Sequence, residues 1–441
     1  MNKKNISFAG IVISFITIFL ACSGPASPGM KPEPEPKITH TVHFNSNGGS
    51  RVANQMVPEN ENAAIPVDPV RYPSAGLYEG NEISIHDYFP VFRGWYNEEE
   101  LWDFNTIITE DITLTAKWNY DSSKVPVKAA SDYDFEELID YANAVPKPYV
   151  LILDTDVTVS TQTLSQKGLN LIIMGTCEEK KIILSSQSAQ GILFDIGKKG
   201  ITGIQLTLGK NITLVGKKGN TSPLIIVQEG SHFIMQEGSK ITGNHSLAAF
   251  SDKDSAGSTV LVKFANFTMK GGEITGNSNN YKDFKGGIVF ITNGSKFNME
   301  GGSITGEKND IGNSDVSVFF DTNQTHMALS FTLSGNAQIK SINMGINYNS
   351  TVYLPSVLVA PGFTGSGIEI SLHSNTDKLS DSINNWINKP VLKGSSTKLT
   401  TDVIDKFRLS YFYCNKGEQQ YIPKYYILSK NAATIGNLVK I

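Results

Sequence analysis

Phe233-Ile-Met235, Phe267-Thr-Met269, Phe297-Asn-Met299 and Phe331-Thr-Leu333 are four versions of one phrase. Each is followed by a second phrase: Gly238-Ser-Lys-Ile241-Thr-Gly-Asn244, Gly271-Gly-Glu-Ile274-Thr-Gly-Asn277, Gly301-Gly-Ser-Ile304-Thr-Gly-Glu307 and the decayed Gly335-Asn-Ala-Gln-Ile339-Lys340. In Phe-x-Met the large apolar side chains fall on one face of a strand and the residue between them on the other. After each glycine break, a lone Ile again points one large side chain inward. The Phe positions step by 34, 30 and 34 residues, and a fixed period in that range signals stacked supersecondary units in place of one closed core.

A third apolar run completes each unit: Leu224-Ile-Ile-Val227, Val260-Leu-Val262, Ile288-Val-Phe-Ile291 and Val316-Ser-Val-Phe-Phe320. Three short strands joined by Gly, Asn and Ser bends in about 30 residues make one rung of a parallel β-helix; a helical solenoid would need apolar spacing of three and four without glycine pairs. Stacking then places Phe on Phe, Met on Met and Ile on Ile at about 4.8 Å. Each such side chain contributes roughly 1.5 to 3 kcal/mol by burial. Asn244 and Asn277 are expected at bends, where an Asn side chain can bond backbone. About seven rungs fit between Cys177 and Cys414, separating them by roughly 34 Å, so no disulfide joins them and both are expected as buried structural thiols.

Upstream the texture continues in Tyr149-Val-Leu-Ile-Leu-Asp154, Leu169-Asn-Leu-Ile-Ile-Met174, Lys181-Ile-Ile-Leu184, Ile204-Gln-Leu-Thr-Leu208 and Ile212-Thr-Leu214. Before these runs, Ser131 to Ala144 reads as a helix with Phe135, Leu138, Ile139 and Ala142 on one face. A β-helix end exposes unpaired backbone and apolar side chains, and an amphipathic helix is the expected cover. The expected solenoid with its capping helix is therefore 131–370, with a C-terminal capping module over 371–441.

The chain opens with Lys3 and Lys4, an apolar run from Ile6 to Leu20, then Ala21 and Cys22, the grammar of a secretory signal peptide over 1–22. Phe19-Leu-Ala-Cys22 resembles the lipobox of bacterial lipoproteins in the relaxed form of spirochaetes. The resemblance implies that Cys22 becomes the first mature residue and carries the lipid. Residues 23–38 hold Pro25, Pro28, Pro32, Pro34 and Pro36 without an apolar cluster, which describes an extended, disordered tether. No other run is long enough to span a bilayer.

Residues 39–118 follow another pattern. Thr41-Val-His-Phe-Asn-Ser-Asn-Gly-Gly49 opens the segment, Phe92-Arg-Gly-Trp-Tyr96 lies in its middle, and a run from Trp102 to Ala116-Lys-Trp118 closes it. It resembles a Listeria-Bacteroides repeat, of the internalin B-repeat family, which implies a small β-grasp-like extracellular module with a lengthened middle loop around Tyr72 to Ile85. Its Trp residues suit a small core better than a sugar platform. A linker over 119–130 leads to the solenoid. The repeats, the lipobox and a closing stretch from Asn349 onward together resemble spirochaete surface lipoproteins built on Gly-Gly-x-Ile-Thr-Gly-Asn repeats.

The net charge of −4 becomes about −6 once Lys3 and Lys4 leave with the leader, which speaks against a nucleic-acid partner. A lyase site needs a strong base beside a carboxylate-held Ca²⁺, yet Arg51, Arg71, Arg93 and Arg408 all fall outside the expected solenoid. A hydrolase needs converging carboxylates, and Glu237, Glu273, Glu300, Glu307, Asp310, Asp315 and Asp321 occur singly near bends. The pairs Asp154/Asp156 and Asp252/Asp254 lack the rest of a Ca²⁺ loop, and His40 and His43 lack partners for a Zn²⁺ set. No catalytic, metal or cofactor site is expected, and Cys22 is the one functional residue named.

The expectation is an all-β protein: a β-grasp-like module, then a right-handed, single-stranded parallel β-helix of pectin-lyase-like type. It would be secreted, lipid-anchored at the cell envelope, and act as an adhesin-like rod displaying faces to protein or glycan. The rival is a polysaccharide-active lyase or hydrolase on the same scaffold. A solvent-facing groove separates them: carboxylates with aromatics favour the enzyme, and a Thr/Ser/Lys face favours display. Oligomeric state is left open.

Overall fold

The computed structural model describes residues 37–119, 121, 123–246, 258–279, 287–292, 294–307, 314–320, 329–347, 355–375, 384, 386–396, 398–413, 419–421, 426–430 and 436–440. Cys22, the leader, the proline tether before residue 37, Asp252, Asp254, Asp310, Asp321 and Cys414 lie outside the described residues.

The first unit is a five-stranded sheet. Its strands are β1 (Thr39–Asn45), β2 (Gln55–Pro58), β4 (Val91–Asn97), β5 (Glu100–Leu101) and β6 (Ile112–Asn119), in the order β2-β1-β6-β4-β5 with β1 and β6 parallel at the centre. The alternation in Thr41-Val-His-Phe sends Val42 and Phe44 inward to meet Trp95, Leu114 and Ala116. The Phe44 and Trp95 rings meet edge to face with centroids 4.9 Å apart. Trp102 and Trp118 pack on this core, and the Trp118 indole N–H donates to the Ser46 carbonyl at 3.0 Å. The three indoles are thus committed to one small core, as the size of the module demands.

Between β2 and β4 the lengthened middle loop is ordered structure: β3 (Gly76–Glu79), α1 (Glu82–Ile85) and a 3₁₀ turn over His86–Tyr88. Within the expected linker, β7 (Lys128–Ala129) pairs with β3. Next, α2 (Phe135–Ala144) starts where a reciprocal capping box forms: the Asp134 carboxylate accepts from Glu137 N at 2.9 Å, and that of Glu137 accepts from Asp134 N at 3.0 Å. Phe135, Leu138, Ile139 and Ala142 are buried on the face predicted from their spacing.

From β8 (Pro148–Leu153) onward the chain visits three long sheets in turn, and each strand pairs in parallel with its counterpart one rung away. In the first sheet Tyr149, Leu171, Leu206, Phe233, Phe267, Phe297, Phe331, Val357 and Leu392 form one continuous inward column. That is nine parallel strands, more than the seven or so expected, because the outer rungs keep the inward apolar position after losing the Phe-x-Met signature. Nine rungs extend roughly 38 Å. The Phe rings stack with centroids 5.1, 4.5 and 4.9 Å apart from Phe233 to Phe331. In the third sheet Ile182, Leu214, Ile241, Ile274 and Ile304 make the matching column, all fully buried.

The stack runs past residue 370, where the boundary was expected. The strand Ile368–Asn375 pairs in parallel with Phe407–Tyr413, which carries Arg408, so this arginine sits on the last rung and pairs with Glu369. The end is closed by buried Trp386, whose indole N–H donates to the His373 carbonyl, and by an antiparallel pair, Tyr426–Leu428 with Leu438–Lys440.

The glycine pairs have a steric cause. Gly302 sits at φ +78°, and a Cβ there would lie 2.5 Å from the carbonyl oxygen of Gly272 in the rung below. Bends that stack backbone on backbone leave no room for a side chain. The expected Asn bends are also present: buried Asn277 donates to Ile241 O and Thr275 O, its Oδ1 accepts from Asn244 N, and Asn220 Nδ2 donates to Asn244 Oδ1 at 2.7 Å.

Candidate functional site

Three surfaces could support contact. The first follows a bend of the rungs, where the positive-φ glycines 238, 272 and 302 form the floor of a groove of about 570 Å³. Its outward residues in register are Thr213, Lys240, Glu273, Ser303 and Gln338, with Lys181 one rung further along the same column. Lys240 and Glu273 approach to 3.9 Å, and the Thr213 hydroxyl donates to Glu179. No aromatic residue lines it. It is a hydroxyl and amide face that also carries Lys240 and three carboxylates, Glu179, Glu237 and Glu273.

The second is the outer side of the second sheet, where Leu261, Phe290 and Phe319 point away from the core and are nevertheless buried. Asp195 shares this sheet; burial pushes its carboxyl above the usual carboxylate range, against the hydrogen bond donated by Gln228 at 2.7 Å.

The third is the junction of module and rod. β3 pairs antiparallel with β8, extending the first sheet beyond its first rung. Tyr78 and Ile85 lie over Val150, Ile152, Ile172 and Met174 with Tyr72, Tyr88 and Phe89 beside them, forming a small second core on the outside of the rod. Burial raises the Tyr78 phenol to about 12, and its hydroxyl donates to Ser74 O at 2.8 Å. Lys147 pairs with Glu79 at 2.8 Å, and Gln236, three rungs along, donates to Glu82 at 3.4 Å.

A cleft of about 590 Å³ opens at this junction. Arg71, Tyr72, Tyr88 and Lys124 line it from the module side, and Asp154, Cys177, Glu178 and Lys180 from the rod. Gly48, at φ +84°, lacks the Cβ that would stand 3.3 Å from the Arg71 guanidinium carbon. The Lys124 ammonium stands 5.1 Å from the centre of the Tyr88 ring. Cys177 is a half-buried free thiol at this seam, contrary to the expectation of a core thiol, and it donates to Val70 O at 3.2 Å. Its bend position exposes what an inward strand position would have hidden, and partial burial pushes its pKa up.

The histidines and acids considered from the sequence are distributed into local bonds. His232 Nε2 meets the Thr268 hydroxyl at 2.9 Å, His245 Nδ1 meets Ser278 at 2.8 Å, and Asn54 meets His43 at 3.0 Å. Asp156 accepts from Lys181 N, and Asp315 accepts from Gly306 N, Lys340 N and Ser341 N, tying adjacent rungs. No group of three metal-ligating side chains occurs among the described residues. The junction residues escaped the sequence reading, although one signal was present: β8 and the next strand of its sheet (Asn170–Gly175) are apolar on both faces, unlike the Phe-x-Met strands.

Residues 40–72 and 90–117 match the Listeria-Bacteroides repeat domain family. The matched stretches leave out 73–89, the segment that docks on the rod. A candidate membrane protein of Evansella cellulosilytica is 27% identical over 211 residues, 46% of this chain and 28% of the relative. A candidate glycine-rich membrane protein of the same organism is 30% identical over 114 residues, 25% of this chain and 11% of the relative. The chain thus spans under a third of the length of the curated relatives it matches. No solved structure matches. The relatives' names are consistent with association with the cell envelope. No helix among the described residues is long and apolar enough to cross a membrane.

Proposed function

We propose that this is a lipid-anchored surface protein: Cys22 carries the lipid, residues 23–38 form the tether, a β-grasp-like module follows, and a right-handed parallel β-helix of pectin-lyase-like type displays its faces to protein or glycan. The observation that carries this reading is the polarity of the module. The chain enters beside Glu59 and Glu61, where Ile38 O accepts from Glu59 N at 2.9 Å and Lys37 approaches Glu61 at 3.8 Å. It meets the rod at the other end of β1, where the Gly48 carbonyl faces Cys177. Tether, module and rod then follow one another outward, and the rod stands farthest from the membrane. The lipid attachment resembles that of spirochaete lipoproteins, in keeping with an outer-membrane surface.

The role is contact without catalysis. The groove has no aromatic residue beside its three carboxylates, and two of these, Glu179 and Glu273, engage Thr213 and Lys240, which supports display over the rival, a polysaccharide lyase or hydrolase. Two measurements test the reading. Cys22→Ala in the full chain moves the protein from the detergent phase to the aqueous phase, and unchanged partitioning refutes the anchor. Purified protein, with and without Ca²⁺, leaves acidic and neutral polysaccharides intact; new reducing or unsaturated ends, lost on replacing Glu237 or Glu273, establish the enzyme instead.

A further inference from the structure

In the segment after β2, Ile65-Pro66-Val67 and Asp68-Pro69-Val70 repeat one phrase, x-Pro-Val. Proline fixes its own φ at about −65° and holds the residue before it in extended backbone. Ile65, Pro66, Asp68 and Pro69 are thereby steered to polyproline II, a helix with three residues per turn and no internal hydrogen bonds. Burial keeps that period: Ala63 and Pro69 are buried and Pro66 is half-buried, whereas Ile65, Val67, Asp68 and Val70 are exposed. Among the described residues, no backbone N–H or carbonyl from Ile65 to Pro69 has a hydrogen-bond partner. The segment is a ridge seated on its proline edge, with its other two edges in solvent.

The ridge is held at both ends. The Gln55 side chain donates to Ala64 O and accepts from Ala64 N, each at 2.8 Å. At the far end Ser50 N donates to Val70 O at 2.7 Å, and Val70 N donates to the Ser50 hydroxyl at 2.9 Å. A partner therefore meets a segment already ordered, which lowers the cost of binding. Every exposed large apolar side chain among the described residues lies between Ile38 and Val145, and Val67, at 88%, is the most exposed of them. The rungs beyond β8 expose none.

The acids of the ridge narrow what can cover it. Asp68 stands between Val67 and Val70, with Glu59 and Glu61 upstream. A bilayer would take up the aliphatic side chains only by drawing in the Asp68 carboxylate, which anionic headgroups repel. Two ridges paired about a two-fold axis would set Asp68 against its own image. The rod of another copy offers no exposed apolar complement. A convex ridge with free carbonyls fits a groove lined by aromatic rings, whose faces pack on Ile and Val while Tyr O–H or Trp N–H donates to the backbone. A cation in that groove would pair with Asp68.

We propose that residues 65–70 are a docking ridge for a separate protein that presents an aromatic-lined groove carrying a Lys or Arg opposite Asp68. This adds a contact surface on the module to the rod faces, and it fails separately from them: phase partitioning of Cys22→Ala and the polysaccharide assay leave the ridge unread.

Photo-cross-linking in intact cells that make the full-length chain reads it directly. The probe is benzoylphenylalanine, replacing Val67 or Val70 in separate chains and Asn298, exposed on the rod, as the control. After irradiation, mass spectrometry identifies the cross-linked peptides. Positions 67 and 70 give one common partner, the captured peptides carry aromatic residues and a Lys or Arg, and position 298 does not give that partner. Ile65→Ser and Asp68→Lys each lower the yield about tenfold, while thermal unfolding of the purified variants matches the parent chain because both side chains are exposed. Cross-links to lipid or to a second copy of this chain, a yield no higher than from position 298, a captured peptide without aromatic residues, or an unchanged yield in both variants overturns the proposal.

Discussion

The first two rungs and the middle rungs share an inner column and have opposite outer faces. Tyr149 and Leu171 continue inward into Phe233, Phe267 and Phe297 without a break. Outward, the column Ile172, Thr207, Ile234, Thr268, Asn298 passes from apolar to polar within five rungs. The difference is what each face meets: Ile172 is covered by the inserted segment of the module, and Asn298 by water. A repeat therefore specifies the inside of the stack, while the outside records the neighbours of each rung.

The largest test of the comparison is on the inside. Phe297→Ala leaves a cavity between rings 4.5 and 4.9 Å away and costs roughly 3 to 5 kcal/mol. Thr268→Ala, on the opposite face, costs about 0.5 to 1.5 kcal/mol, because Thr268 is nearly buried and its hydroxyl meets His232. Denaturant unfolding measures both, and equal losses break the inward and outward assignment.

Next is the outer column itself. Ile172→Ala costs about 2 kcal/mol or more, the lower end of the core range, since one side of the residue is the docked insertion. Asn298→Ala, exposed in the same column, stays within about 0.5 kcal/mol. Similar values at the two positions mean that the module does not cover the rod.

A smaller effect is expected with pH. Burial, with Lys270 adding to it, lowers the pKa of His232 below its ordinary 6.5. The folded state then binds the proton less readily than the unfolded chain, so the stability this group contributes is present above about pH 6.5 and lost as pH falls through the folded value. Thermal unfolding between pH 7.5 and 5 shows this slope in the wild type, and His232→Asn flattens it; an unchanged slope removes His232 as its source.

The smallest effect is at Asp195. Its carboxyl is raised by burial, so its favourable contribution is complete below the ordinary 3.8 and lost as pH rises through the folded value. Asp195→Asn therefore stabilises slightly at pH 7 and not at pH 3. Destabilisation at pH 7 shows that the Gln228 bond outweighs the burial of charge.

Much of the rod was legible because its signals are local and repeated. Phe-x-Met fixes a strand face, Gly-Gly marks a bend, and a lone Ile marks the next inward position, so the period alone stacks Phe297 between Phe267 and Phe331. The outermost rungs were harder to see, since Val357 and Leu392 keep only apolarity at the inward position. That is enough to pack against a neighbour and too little to be recognised as a repeat.

The amino-acid order by itself determined strand faces, glycine bends, the capping helix and the module's aromatic core, all of which follow from spacing within a few residues or from one fixed period. Tertiary structure decided where the module sits, that residues 73–89 join the rod's sheet, that Cys177 faces the seam, and that Arg71 and Lys124 stand across from Asp154 and Glu178. Those pairings join positions some 30 to more than 100 apart and link two different units, so no rung repeat relates them. They depend on which apolar outer face finds a cover, and that choice is made by burial between units, which leaves only a doubly apolar strand as its trace in sequence.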